Sequence, residues 1–302
     1  MNKDKFSVNN FPNNGFCISN TKLDREPCLQ LRKLINKERP ITNNIFYSSE
    51  KEFSDKGRYN NYAPGVGHNF LESCDLDFIE NDKGFNKFCS SIIGKNFQIL
   101  KKSVIRSTPP KFIPKWVKQK VKNIGRPNLN PYVRDEYQDV QFFLCTDFHQ
   151  DKTRQKSEFV TVYIYLDDVE KKNSALQILL SSHHLGFTSY PHNLRQSDLD
   201  PSLWFYNDAF GNYKECNEIT VTGRSGTFSC FHNLTLHGTG YNHESNPRIS
   251  LRYLIGNRSL DNTIYSLANE KIFGKKINKR SRFDVDSDGI LIPLGSSLNL
   301  IK

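Results

Sequence analysis

Near Asp139 the hydrophobic period of this chain changes, and the architectures open to it change as well. Upstream, apolar side chains recur every three or four residues over Pro27 to Lys37, Leu76 to Ile93 and Pro110 to Ile124. In the last of these Ile113, Trp116, Val117, Val121 and Ile124 form one stripe, and Pro114 suits a first helical turn. Downstream come short β-rich runs: Val140 to Cys145, Phe159 to Leu166, Leu176 to Leu180, Ile219 to Thr222, Thr227 to Phe231 and Ile249 to Ile255. Asn173-Ser174, Gly223-Arg224-Ser225-Gly226 and Asn246-Pro247 separate them as turns. That rhythm favours an antiparallel barrel or sandwich over alternating βαβ units. The expectation is a mostly β chain with flanking helices. It reads as a single domain over 1–302, with a helical N-terminal layer (1–138), a β core (139–257) and a C-terminal extension (258–302).

At 36% hydrophobic and 12% aromatic residues the chain has material for a large core, which excludes disordered and fibrous classes. The net charge of +10 is local: Lys95 to Arg134 carries eleven basic residues and no acidic one, and the remainder is near neutral. A protein that coats nucleic acid is therefore not expected, and any attraction for anions belongs to that segment. Seven cysteines, none spaced Cys-x-x-Cys, argue for reduced thiols rather than a disulfide framework or a zinc knuckle. Met1 to Phe6 lacks the apolar run of a secretory signal and no stretch approaches a spanning length, so the expected location is cytoplasmic.

The chemistry concentrates in His149-Gln150-Asp151, which follows a β run. An extended backbone points residues i and i+2 to one side, so both metal-competent side chains share a face. A third ligand must come from a distant strand, and His237 ends another β run before a turn, with Arg248 eleven residues on. These residues, with Leu166-Asp167-Asp168, Asn173-Ser174-Ala175-Leu176-Gln177, Ser182-His183 and His237-Gly238-Thr239-Gly240-Tyr241-Asn242, resemble the phytanoyl-CoA dioxygenase family of iron(II)- and 2-oxoglutarate-dependent oxygenases. The likeness spans roughly 141 to 255. It implies a double-stranded β-helix, the jelly-roll or cupin-like core. It also implies His149, Asp151 and His237 as ligands of Fe(II), Arg248 on the distal carboxylate of 2-oxoglutarate, and Thr239 where the family often has a helping Ser.

Two imidazoles and a carboxylate occupy one face of an octahedron and leave three positions for a bidentate 2-oxo acid and O2. A guanidinium suits the far carboxylate because its two parallel N–H groups match it, where a lysine is only a point charge. Arg252 is a rival, since strand alternation puts Arg248, Ser250 and Arg252 on one face. By resemblance the reaction is oxidative decarboxylation of 2-oxoglutarate to succinate and CO2 coupled to oxidation of a substrate carbon, with ascorbate a helpful reductant. Relatives that halogenate replace the carboxylate, so Asp151 favours hydroxylation. Asn173-Ser174 and Leu180-Ser181-Ser182-His183 depart from the family's glycine-bearing turns, which puts a role for His183 in doubt.

Tyr163, Thr161 and Gln177 are candidates for the cosubstrate pocket, against ordinary barrel packing. His183, His184, His192, His232 and His243 lack paired spacing with a carboxylate and read as surface or hydrogen-bonded histidines. Asp284-Val285-Asp286-Ser287-Asp288-Gly289 copies the opening of a calcium loop, but Gly295 stands where a bidentate Glu is needed, so a solvated acidic turn is expected. The basic segment, including Lys101, Lys102, Arg106, Lys111, Lys115, Lys118, Lys120 and Lys122, reads first as a solvated helix face. Its other readings are a seat for an anionic or carrier-linked small-molecule substrate and a peripheral membrane contact through the Trp116 stripe. Trp204, Phe205 and Tyr206 suggest an aromatic lid. The runner-up to an oxygenase is a non-catalytic barrel that binds a metal or ligand and uses the basic helix as an interaction surface.

Overall fold

The computed structural model describes residues 4–56, 70–124, 129–151, 159–186, 188, 193–207, 211–257, 283–285 and 291–293. The core strands in chain order are β1 (Phe16–Ile18), β2 (Gln98–Ser107), β3 (Gln141–Phe143), β4 (Thr146–His149), β5 (Phe159–Tyr165) and β6 (Leu176–Leu179). They continue with β7 (Asn193–Gln196), β8 (Leu203–Asn207), β9 (Tyr213–Val221), β10 (Phe228–His232), β11 (His237–Thr239) and β12 (Arg248–Gly256). Helices α1 (Phe11–Asn14), α2 (Arg25–Glu38), α3 (Glu50–Lys56), α4 (Asp77–Glu80), α5 (Lys83–Ile93) and α6 (Lys115–Ile124) all precede β3.

Two six-stranded sheets face each other, in the orders β1-β10-β5-β12-β2-β3 and β4-β11-β6-β9-β8-β7. Pairing is antiparallel except between β2 and β3. The expected jelly-roll core is what forms. β5 is buried along its whole length, and its alternation divides it between two cores. Val160, Val162 and Ile164 pack with Cys28, Leu31 and Ile35 of α2 and Phe85 and Phe88 of α5 in the layer between the first sheet and the helices. Tyr163 and Tyr165 turn the other way, to Leu176 and Ile178 of the second sheet. Each fully buried aliphatic side chain here contributes roughly 1.5–3 kcal/mol. Helix α2 starts because Asp24 accepts from the Glu26 amide at 3.2 Å, and α5 because Asp82 accepts from the Phe85 amide at 2.7 Å.

The N-terminal residues are not a purely helical layer. They supply β1 and β2, and β2 lies inside the first sheet against β12 and β3. In Gln98–Ser107 the Lys101-Lys102 pair masks the strand pattern, and only the flanking strands make the segment β. The run expected over Val140 to Cys145 is strand only in β3, β4 begins just after it and joins the other sheet, and the expected strand at Ile219 extends back to Tyr213.

The basic segment divides: Lys111, Lys115 and Lys118 are exposed, as a solvated face requires, and other members are engaged by the protein. Arg106 is fully buried and donates to the carbonyls of Ile35 and Arg39, Lys102 pairs with Glu80 at 2.7 Å, and Lys120 pairs with Glu50 at 2.6 Å. The Trp116 stripe faces inward: Nε1 of Trp116 donates to the Tyr47 carbonyl at 3.0 Å, its ring packs on Phe53 and Tyr132, and Val117 and Val121 are buried. That overturns the reading of the stripe as a membrane contact. Among the described residues no helix is long and apolar enough to cross a membrane. Lys122, His192 and positions 284–289 of the acidic stretch lie outside what is described of side chains.

Candidate metal centre

β4 and β11 are antiparallel neighbours in which His149 stands opposite His237, with ring centroids 4.3 Å apart. The register then shifts so that Thr239 meets Thr146. Gly238 permits this close approach, since a Cβ there would lie 2.5 Å from the Thr146 carbonyl oxygen. Asp151 leaves the end of β4 and joins the two histidines. One ligand atom from each of His149, Asp151 and His237 lies within 4.8 Å of the others, and this is the one such cluster among the described residues.

Each ring is oriented from behind. Nδ1 of His149 lies 2.7 Å from the Asp147 carbonyl and Nδ1 of His237 lies 2.9 Å from the Thr235 carbonyl. A carbonyl only accepts, so Nδ1 carries the proton and Nε2 keeps its lone pair for a metal. Burial, and after it the neighbouring His149, pushes the His237 imidazole down to about 3, which keeps it neutral. Burial works against the Asp151 carboxylate, yet Arg252, His237 and His149, with the Thr161 hydroxyl, hold it well below the usual carboxylate range. Oδ2 of Asp151 accepts from Thr161 at 2.8 Å, and Oδ1 lies 3.5 Å from Arg252 and 3.8 Å from Nε2 of His237. Two imidazoles and an ionised carboxylate, with no fourth ligating residue in the cluster among the described residues, fit a divalent iron of the two-histidine, one-carboxylate type.

Arg248 is 2% exposed. It donates to the hydroxyls of Tyr163 at 2.9 Å, Ser174 at 3.3 Å and Ser250, and its Nε has no partner. No carboxylate of the described residues forms an ion pair with it. A buried guanidinium whose hydrogen bonds all go to neutral hydroxyls is costly alone and suits an incoming carboxylate. Arg248, Ser250 and Arg252 occupy alternate positions of β12, so both arginines share a face, with Arg252 at Asp151 and Arg248 among the hydroxyls.

The other candidates separate. Thr161 holds Asp151, and Tyr163 holds Arg248. The Thr239 hydroxyl meets Thr146 at 3.1 Å, while Ser250 and Ser174 take the place expected for it at Arg248. Gln177 is not brought to the cluster: it donates to Glu218 at 2.8 Å and lines a cavity with Phe148 and Trp204. His183 hydrogen-bonds the Pro12 carbonyl at 2.9 Å. The expected aromatic lid is a strand, with Tyr206 buried, Trp204 in that cavity and Phe205 stacked on Tyr213. Ser174 escaped notice as a site residue, although its φ of 66° at the turn before β6 is what brings its side chain to Arg248.

The fold is similar to that of a solved non-heme alpha ketoglutarate dependent epimerase, SnoN from nogalamycin biosynthesis. The two are 12% identical, 96% of this chain and 98% of that chain are covered, and the TM-score is 0.51. A non-heme monooxygenase, ThoJ, aligns at 14% identity over 82% and 76% with a TM-score of 0.48. AviO1 from Streptomyces viridochromogenes Tue57 aligns at 14% over 86% and 97% with a TM-score of 0.46. No curated relative matches the chain. The SnoN likeness establishes the fold. The family profile for phytanoyl-CoA dioxygenase (PhyH) matches residues 13–250, a span that runs from α1 into β12 and takes in all three clustered ligands and Arg248. With most of the chain covered, this protein belongs to the phytanoyl-CoA dioxygenase family.

Proposed function

We propose that the protein is an Fe(II)- and 2-oxoglutarate-dependent dioxygenase that hydroxylates a small metabolite. The observation that carries this is the pairing of His149, Asp151 and His237 with a buried Arg248 that lacks a carboxylate partner. When bound, ferrous iron supplies the O2 chemistry that couples decarboxylation of 2-oxoglutarate, giving succinate and CO2, to oxidation of the substrate.

The chain's own residues hold and orient. His149 and His237 donate Nε2, fixed by the carbonyls of Asp147 and Thr235. Asp151 supplies the carboxylate, and Thr161 keeps one of its oxygens engaged so that the other faces the histidines. Arg248 binds the distal carboxylate of 2-oxoglutarate, aided by the hydroxyls of Tyr163, Ser174 and Ser250. Arg252 keeps Asp151 ionised. Retention of the carboxylate supports hydroxylation over halogenation.

The test is succinate formation by purified protein with ferrous iron, 2-oxoglutarate and ascorbate, alone and with metabolite extracts screened for a mass gain of one oxygen. Succinate that appears with the intact chain and disappears with Asp151→Ala supports the reading. Absence of succinate under every condition, uncoupled turnover included, refutes it and favours a non-catalytic metal-binding barrel.

A further inference from the structure

Strand alternation puts Ser103, Ile105 and Ser107 of β2 on the face of the first sheet that turns toward the second, where Ile105 packs with Tyr163, Leu176 and Ile178. Register adds neighbours to that face: Arg248 stands opposite Ser107, Arg252 opposite Ser103, and Gln141 of β3 opposite Ile105. Besides Nε of Arg248, four polar atoms here are buried with no partner among the described residues: Nε of Arg252, Oγ of Ser103, Oγ of Ser107 and Oε1 of Gln141. Ser103 is 2% exposed. Unpaired buried polar groups are costly, and a tract of them on one face between two sheets calls for a polar ligand.

The tract has two ends. Ser107 faces Arg248 and belongs with the hydroxyls around that guanidinium. Arg252 and Ser103 lie two residues beyond Ser250 and Ile105, beside the metal cluster. Asp151 does not satisfy Arg252: their contact is a single approach of Nη1 to Oδ1 at 3.5 Å, long for a hydrogen bond, and Oδ1 is also the oxygen that faces Nε2 of His237 at 3.8 Å. An oxygen committed to a metal has less to offer a guanidinium. Residues directly opposite on paired strands hold their Cβ atoms about 4.5–5.5 Å apart, so one carboxylate can accept from both Arg252 and Ser103. The Arg252 side chain is 19% exposed, whereas Arg248 is 2% exposed, so a ligand at Arg252 is reached from solvent more directly than one at Arg248.

We propose that Arg252 and Ser103 seat a carboxylate carried by the primary substrate, which makes that substrate an organic acid held beside the metal cluster. The proposal rests on the reading of His149, Asp151 and His237 as the metal centre of an oxygenase. It places the preference for an anion inside the barrel, not on Lys115 and Lys118 of α6.

The experiment is saturation-transfer NMR of acetate on the full chain loaded with Zn(II) and held saturated with 2-oxoglutarate, so that Arg248 is occupied. Acetamide serves as the neutral isostere. The expected result is saturable binding of acetate at least about tenfold tighter than that of acetamide, as one charge-assisted contact implies. Ser103→Ala and Arg252→Lys should each weaken acetate about tenfold. Their calorimetric affinities for Zn(II) and 2-oxoglutarate should stay those of the parent, because the lysine keeps a cation at Asp151 and removes only the fork. Absence of saturable acetate binding would assign these groups to water and overturn the proposal, and so would an acetate affinity unchanged in either variant. A fall in 2-oxoglutarate affinity that matches the fall for acetate would give the seat to the cosubstrate, which overturns it as well. None of these measurements needs turnover, so their failure and failure of the succinate assay are separate results.

Discussion

Arg248 shows how much a single residue's surroundings add to its identity. Its spacing after His237 marked it in the sequence, but the spacing left Arg252 as a competitor. Packing separates them: Arg252 lies 3.5 Å from Asp151, and Arg248 is enclosed by the hydroxyls of Tyr163, Ser174 and Ser250. Arg248→Lys keeps the charge and loses the fork, so the apparent KM for 2-oxoglutarate should rise about 10- to 100-fold with ferrous iron affinity unchanged, checked by initial rates and metal titration. Thr161→Val removes the bond to Asp151 and should weaken ferrous iron binding by about 10- to 100-fold, read by equilibrium titration, with the unfolding temperature little altered. His149 and Asp151 were legible because a strand places i and i+2 on one side. The register shift at Gly238 pairs Thr239 with Thr146, and alternation along β6 turns Gln177 away from Ile178, toward Glu218. Neither effect is visible in spacing alone.

At the scale of elements, the centre depends on how closely β4 and β11 lie. Gly238→Ala places a Cβ against the backbone of Thr146 and Asp147, which cannot rotate aside as a side chain would. The variant should lose about 1–3 kcal/mol of stability in denaturant unfolding. It should also lose iron binding disproportionately, because the strands that carry His149 and His237 are forced apart. A variant that binds iron as tightly as the parent would show that the approach is not needed. Strands with β-rich, alternating sequences, β5, β10 and β12 among them, were legible. β2 and β7 were not, because their charged and polar residues are tolerated only by particular neighbours, such as Glu80 for Lys102, and β8 was not, because its run Trp204-Phe205-Tyr206 reads equally well as an aromatic lid. The stripe on α6 was read correctly as amphipathic, but only the packing of Trp116 on Phe53 and Tyr132 shows that its apolar side faces the protein interior.

For the whole molecule, burial sets a window of stability in pH. Cys28 and Cys89 are pushed up to about 12, and Cys145 and Cys216 to about 11, chiefly by burial, from an ordinary thiol value of 9.0. Above that ordinary value the unfolded chain releases these protons and the folded one keeps them, so stability falls as pH rises from about 9 toward 11. At the other end burial pushes His183 down to about 4 and also lowers His232, so the unfolded chain binds protons that the folded one refuses below an ordinary value of 6.5. Stability should therefore be highest between about pH 6.5 and 9 and decline on both sides, checked by urea unfolding across that range. An alkaline limb that persists after replacement of Cys28 and Cys89 by Ala, Cys145 and Cys216 by Ser would show that other groups cause it.

The amino-acid order alone determined the β-rich second half and the helices before it through local periodicity, and it marked His149 and Asp151 by their i, i+2 spacing, while His237 and Arg248 came from the family resemblance. Only the folded chain decided which strands share a sheet, which hydroxyls surround Arg248 and where the Trp116 stripe points. Each of these is a relation between segments tens to hundreds of residues apart, and it is set by packing and burial that no single segment encodes.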